Sequence, residues 1–155
     1  MDWEAVGAVS EIVGAAAVVV SLLYLARQVQ IQNSESRAAA MHEFYVGWRE
    51  SSVSFVDGEL AEIYIKANTN FDSLTEIERL RLLAALHGRI RLFEEAYFQQ
   101  QQNRFNPGMW NAINRQYASL FSSAAYIRYW EMRRDWYHEE FQRHIDDLAQ
   151  SGYQL

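Results

Sequence analysis

The side chains able to do chemistry in this chain are four histidines, a scatter of carboxylates and one glutamate set in an apolar stretch. Histidines and carboxylates together raise the question of a metal. On a helix, two ligands reach one ion when they stand three or four residues apart. His138 and His144 are six apart, on opposed faces of one expected helix; His87 stands alone, and His42 has only Glu43 beside it. Asp135 and His138 have the right spacing, but di-iron bundles need a carboxylate-histidine pair twice. Glu94 and Glu95 share a stretch with Arg89 and Arg91, and paired carboxylates can act as acid and base. Charges at these spacings usually form surface ion pairs of small energetic value. A Ser-His-Asp order, a glycine-rich phosphate loop and a nucleophile elbow are all missing. With no cysteine there is neither a thiolate ligand nor a cysteine nucleophile. The chain is therefore expected not to be an enzyme, with no catalytic residue, cofactor or metal site.

Glu11 is the exception. It is the only charge between Val6 and Ala26, a run close to the ~20 residues that cross a bilayer core. At 100° per residue, Val9, Ile12, Val13, Ala16, Val19, Val20 and Leu23 make one aliphatic face. The opposite face carries Gly7, Ser10, Glu11, Gly14, Ala17 and Ser21, interrupted by Val18, Leu22 and Leu25. Those three would be wasted on the wet side of a soluble helix. In lipid, bulky aliphatics suit the acyl chains and a stripe of small residues suits another helix. A carboxylate in that stripe either faces a neighbouring helix or, only ~7 Å into the span, stays within reach of the headgroups. The acidic opening before the run, Asp2 and Glu4, argues against a cleaved secretory signal, which starts with positive charge. Arg27 and Arg37 follow the run, so the positive-inside bias places the C-terminal part in the cytoplasm. Trp3 and Tyr24 sit near its two ends, where amphipathic rings prefer the headgroups.

The remaining elements are read from breakers and caps. The chain has a single proline, Pro107, and seven glycines among 155 residues, too few for the frequent turns of a sandwich or an α/β sheet. The expected fold is all-α: one N-terminal transmembrane helix, residues 1–33, followed by a small soluble helical bundle, residues 34–155. Within the bundle a helix is expected from Ser36 to Phe55 and a turn at Asp57-Gly58. A short helix around Leu60, Ile63 and Tyr64 should follow, then a loop at Asn68-Thr69-Asn70. Thr75 and Glu78 have capping-box spacing, opening a long helix to about Gln102. Asn106-Pro107 reads as a cap and first-turn proline, opening a helix to about Phe121. Ser122-Ser123 should break it, with one or two helices from Ala124 to Gln150. Tyr126, Tyr129, Trp130, Trp136 and Tyr137 crowd that last stretch and read mainly as core.

From Glu11 to Gln28 the sequence EIVGAAAVVVSLLYLARQ, preceded by a tryptophan and a Gly-Ala pair, resembles a family of short bacterial proteins. They have one N-terminal membrane helix, a cytoplasmic helical domain and no characterised activity. Later landmarks are similar too: Leu74-Thr75 with Glu78-Arg79, Arg91-Leu92-Phe93-Glu94, Trp110, and Trp130-Glu131-Met132-Arg133-Arg134 before Phe141. The resemblance implies a bacterial origin and a helical fold, and it brings no site residue with it.

The net charge of −6 and the interleaving of Arg128, Arg133 and Arg134 with Glu131 and Asp135 speak against nucleic acid as a partner. The expected role is a self-assembling structural or interaction protein in the bacterial inner membrane. Lipid is the expected partner of the aliphatic face, and further copies of the chain, or another membrane protein, that of the face with Gly7, Ser10, Glu11, Gly14, Ala17 and Ser21. A small oligomeric channel ringed by Glu11 is the second expectation, and a membrane-anchored enzyme the third.

Overall fold

The computed structural model describes residues 3–56 and 58–150. Asp2 and Asp57, named above for the N-terminal flank and a turn, lie outside the described residues, as do the side chains of Trp3, Glu4, Val6, Val9 and Gln150. The described chain is all-α: α1 (Trp3–Val56), α2 (Gly58–Asn70), a 3-10 turn (Phe71–Ser73), α3 (Glu76–Gln101), α4 (Pro107–Phe121), α5 (Ala124–Arg133), a second 3-10 turn (Arg134–Trp136) and α6 (Glu139–Gln150). It divides into two compact units, Met1–Ala39 and Ala40–Leu155.

The first unit is helix from Trp3 onward. The two helical stretches expected on either side of Asn33 are one element, because no glycine or proline falls between Gly14 and Gly47. Ser34, a residue that could have broken the helix, instead donates its hydroxyl to the Ile31 carbonyl at 2.7 Å. From Ile12 to Leu25 every large aliphatic side chain is more than half exposed, from Val19 at 55% to Ile12 at 69%.

The second unit is built around α3. Leu82, Leu86, Ile90 and Phe93 recur at four- and three-residue steps and are fully buried. Facing them are Ile113, Tyr117 and Phe121 of α4, Ala125, Tyr126 and Tyr129 of α5, and Phe141 and Ile145 of α6. Phe93 stacks on Tyr117 with ring centroids 3.8 Å apart, and Phe141 meets Phe93 edge-on at 5.4 Å. Gly47 lets α1 approach α3: a Cβ there would lie 2.9 Å from Leu92 Cδ1.

The helix ends follow the expected chemistry in most places. Thr75 and Glu78 form the capping box, with the Thr75 amide donating to Glu78 Oε2 at 2.6 Å and the Glu78 amide to Thr75 Oγ1 at 3.3 Å. Lys66 pairs with the same carboxylate at 2.8 Å. These contacts hold the Glu78 pKa down at about 2, its hydrogen bond from Lys66 contributing most. Asn106 caps α4 through the Met109 amide at 2.8 Å, with Pro107 in the first turn.

The expected loop at Asn68–Asn70 is instead the last turn of α2. Asn68 and Thr69 bond back to the Tyr64 and Ile65 carbonyls, so their polar side chains support the helix they were expected to end. Asn68 Oδ1 also accepts the Ala125 amide at 3.0 Å, capping α5 from a different helix. Ser123, at the α5 cap position, makes no cap hydrogen bond and accepts the Tyr64 hydroxyl.

After α3 the chain reverses through Asn103, at φ 57. The Asn103 amide reaches Gln100 O at 2.8 Å and the Arg104 amide reaches Gln99 O at 3.1 Å, the two bonds of a Schellman motif with asparagine in the left-handed position. A β-branched residue there should cost about 1–2 kcal/mol. In chemical denaturation, Asn103→Val is expected to lower stability by that amount while Asn103→Gly leaves it unchanged or raised.

Candidate functional site

The expected helix-contact face lies along the N-terminal part of α1, with Gly7, Ser10, Glu11, Gly14, Ala17 and Ser21 all exposed. A Cβ added at Gly7 or Gly14 would meet nothing within 4 Å, so both glycines leave room for a close backbone approach. Ser21 donates to the Ala17 carbonyl at 2.9 Å, which satisfies its hydroxyl inside the helix.

The second unit holds a hydrogen-bonded cluster that the spacing of its members does not announce. The Tyr129 hydroxyl lies 2.8 Å from His87 Nδ1, the Tyr137 hydroxyl lies 3.1 Å from the same nitrogen, and the two hydroxyls are 2.7 Å apart. Proton counting within the triangle favours one tautomer. If Nδ1 carried the hydrogen, one of the two hydroxyl protons would have no acceptor within the triangle. With Nδ1 bare, one phenol donates to it, the other donates to the first, and both are satisfied. The imidazole proton then sits on Nε2, outside the triangle. Burial, and next the Arg91 charge, lower the His87 pKa. Burial raises those of both tyrosines. The cluster is therefore neutral at physiological pH.

Its frame is electrostatic. Glu94, expected at the surface, is buried. It accepts from Arg91 and, at 2.8 Å, from the His138 amide in front of α6. Arg91 also donates to the Trp136 carbonyl at 2.7 Å and lies over the Tyr137 ring at 4.5 Å. One ion pair on α3 thus clasps the segment 136–138 and sets where Trp136 and Tyr137 project. Glu95 stays exposed beside Gln99.

Arg89 corrects the surface reading further. It is only 7% exposed and has no carboxylate partner among the described residues. Its guanidinium lies over Phe55 at 4.3 Å and Trp48 at 5.0 Å and donates to the Ser51 hydroxyl and carbonyl at 2.8 and 3.1 Å. Aromatic faces and neutral oxygens take the place of a counter-ion. This role is structural, tying the end of α1 to α3.

Of the other histidines, His42 and His138 are exposed. His144 is packed among Tyr97, Trp110 and Phe93, with Nε2 3.0 Å from Asn114 Oδ1. Among the described residues no three His, Asp or Glu side chains converge on a metal position. The aromatic crowd of the last stretch is core at Tyr126, Tyr129, Trp130 and Tyr137, whereas Trp136 is 55% exposed.

Several cavities open among the described residues of the second unit. One of about 410 Å³ runs along α1 and α3 and carries Glu43, Glu50 and Glu95 on its wall. A polar one of about 350 Å³ includes Glu140, Asp147, Arg143 and His144. A third, about 210 Å³, is lined by Leu80, Leu83, Ala84, His87, Tyr129, Arg133 and Trp136, so the tyrosine-histidine cluster forms part of its wall. The members of this site are too far apart in sequence for their spacing to mark it. The available signal was Leu80, Leu83, Ala84 and His87 on one face of α3 at helical spacing, an apolar stripe ending in a titratable ring.

No protein-family model, curated protein or solved structure matches the chain.

The two perturbed histidines set a pH dependence. Burial lowers the His144 pKa as it does that of His87. Below the ordinary value near 6.5 the unfolded chain takes up protons that the folded one resists. Stability is therefore full above that pH and is lost as pH falls toward the folded values. Thermal melts between about pH 7 and 5 should show falling stability. His144→Gln should flatten the slope, and an unchanged slope would show that His144 does not contribute.

Proposed function

We propose that this chain is a single-pass protein of the bacterial inner membrane, anchored by residues Val6 to Ala26, with its helical domain in the cytoplasm, and that it self-assembles to present that domain to partners. One observation carries the reading. The aliphatic side chains from Ile12 to Leu25 are exposed along a helix long and apolar enough to cross a bilayer. Each large one gains about 1.5–3 kcal/mol on leaving water, and a contiguous apolar surface of this kind marks a membrane or partner contact. The stretch can enter lipid without exposing polar backbone, because helical hydrogen bonding is complete within the segment. Ser21 enters with its hydroxyl already bonded to Ala17.

Self-assembly is supported by the opposite face. In lipid, helices gain little from the hydrophobic effect, so their association depends on close packing of small residues. Gly7, Gly14 and Ser21 recur every seven residues with Ser10 and Ala17 three further on, the seam of a left-handed crossing. Glu11 on that side gains a polar or aqueous neighbour only if the face is not turned to acyl chains. Orientation follows from Arg27 and Arg37 after the span.

The test is oligomer mass in mild detergent. Gly14→Leu should shift the assembly toward monomer, while Ala16→Leu on the aliphatic face should leave it unchanged; equal effects would exclude the seam. A C-terminal fluorescent reporter should be active and a C-terminal alkaline phosphatase inactive, and the reverse pattern would invert the topology.

A further inference from the structure

We propose that the cavity between α3, α5 and the second 3-10 turn is a binding site for a small free monocarboxylate whose apolar body is the size of a single ring. The inference stands apart from the membrane reading, since each wall of the cavity belongs to the second unit.

Size sets the first limit. An apolar cavity of about 150 Å³ takes up a benzene ring, so 210 Å³ holds one ring and a small polar group. The walls set the second. Leu80, Leu83, Ala84 and Trp136 offer apolar surface, and both Leu80 and Trp136 are largely exposed, at 70% and 55%. A ligand seated between them would remove that surface from water.

The polar groups decide the ligand's sign. Arg133 is the only charged residue on the wall and makes no ion pair among the described residues. Its neighbours Arg128 and Arg134 are both paired, with Glu131 and Asp146. The Arg133 guanidinium lies over the Trp136 ring at 4.5 Å and gives one hydrogen bond, from Nη1 to the Met132 carbonyl at 3.3 Å, so its remaining edge N–H donors are available to a carboxylate. His87 brings a second donor, the Nε2 proton left over from the tyrosine cluster, on a ring that lines the same cavity. The Tyr129 hydroxyl is already engaged by His87 and Tyr137. The wall thus offers donors, one positive charge and no carboxylate, in contrast to the two larger cavities, which carry glutamates or aspartate. A neutral ligand would leave Arg133 unmatched, and an amine would be repelled by it.

The probes are benzoate, benzamide and benzylamine, measured by ligand-observed NMR on the full chain in zwitterionic lipid nanodiscs, with empty nanodiscs subtracted. Benzoate should bind at least about tenfold tighter than benzamide, and benzylamine weakest. Arg133→Gln should abolish the preference for benzoate while benzamide still binds. Ala84→Leu, which fills the cavity from an exposed helical position, should abolish binding of both. Equal affinity for benzoate and benzamide, unchanged binding in Ala84→Leu, or no binding of any probe would each overturn the proposal.

Discussion

The hydrophobic effect is met in two ways along this chain, and that difference organises the rest. From Ala40 onward a core of apolar side chains is answered from within: α3 buries Leu82, Leu86, Ile90 and Phe93 against three later helices, and the Phe93–Tyr117 stack lies in that core. From Ile12 to Leu25 the side chains are as aliphatic as any in the core but stay exposed. A protein with ordinary net charge and abundant surface polarity does not leave such a strip to water without consequence. The proposal of a membrane anchor follows from this mismatch, and the small-residue face follows from the anchor. Glycine weakens a helix by roughly 0.5–1 kcal/mol relative to alanine, so Gly7 and Gly14 make sense where a second helix comes close.

Within the second unit, local order depends on a few polar groups that reach across the sequence. Glu94 and Arg91 hold the segment before α6, and Asn68 caps α5 from the end of α2. Arg89 is buried against two aromatic faces and two serines. Because such groups are costly to leave unsatisfied, they fix the relative register of helices that the apolar core alone would allow to slide. The clasp on segment 136–138 also builds the small cavity: it turns Tyr137 inward to the His87 cluster and leaves Trp136 at the rim beside Arg133.

What could be read from the sequence was what depends on neighbours in sequence. The capping box at Thr75 and Glu78, the Asn106-Pro107 start and the break at Ser122-Ser123 are local, and the helices lie where those signals put them. The failures have a common cause. Asn68, Thr69 and Ser34 look like loop formers but bond back to the preceding turn, and a polar residue's choice between the two is made by context. Arg89 and Glu94 looked solvated because their partners, Ser51 and the His138 amide, are 38 and 44 residues away. The His87 cluster was invisible for the same reason, since its hydroxyls come from 42 and 50 residues downstream.

The central claim, that residues 12–25 of α1 are embedded in lipid, is open to a clean measurement because the chain has no cysteine of its own. Single cysteines introduced along α1, in the full chain reconstituted in bilayers, report water access through their reaction with a membrane-impermeant maleimide. A cysteine at Gln32 or Arg37 is expected to label readily, those replacing Val13, Val19 or Leu23 to stay unlabelled, and all to label after the bilayer is dissolved in denaturant. Ready labelling at Val13, Val19 and Leu23 in the intact bilayer would contradict lipid embedding.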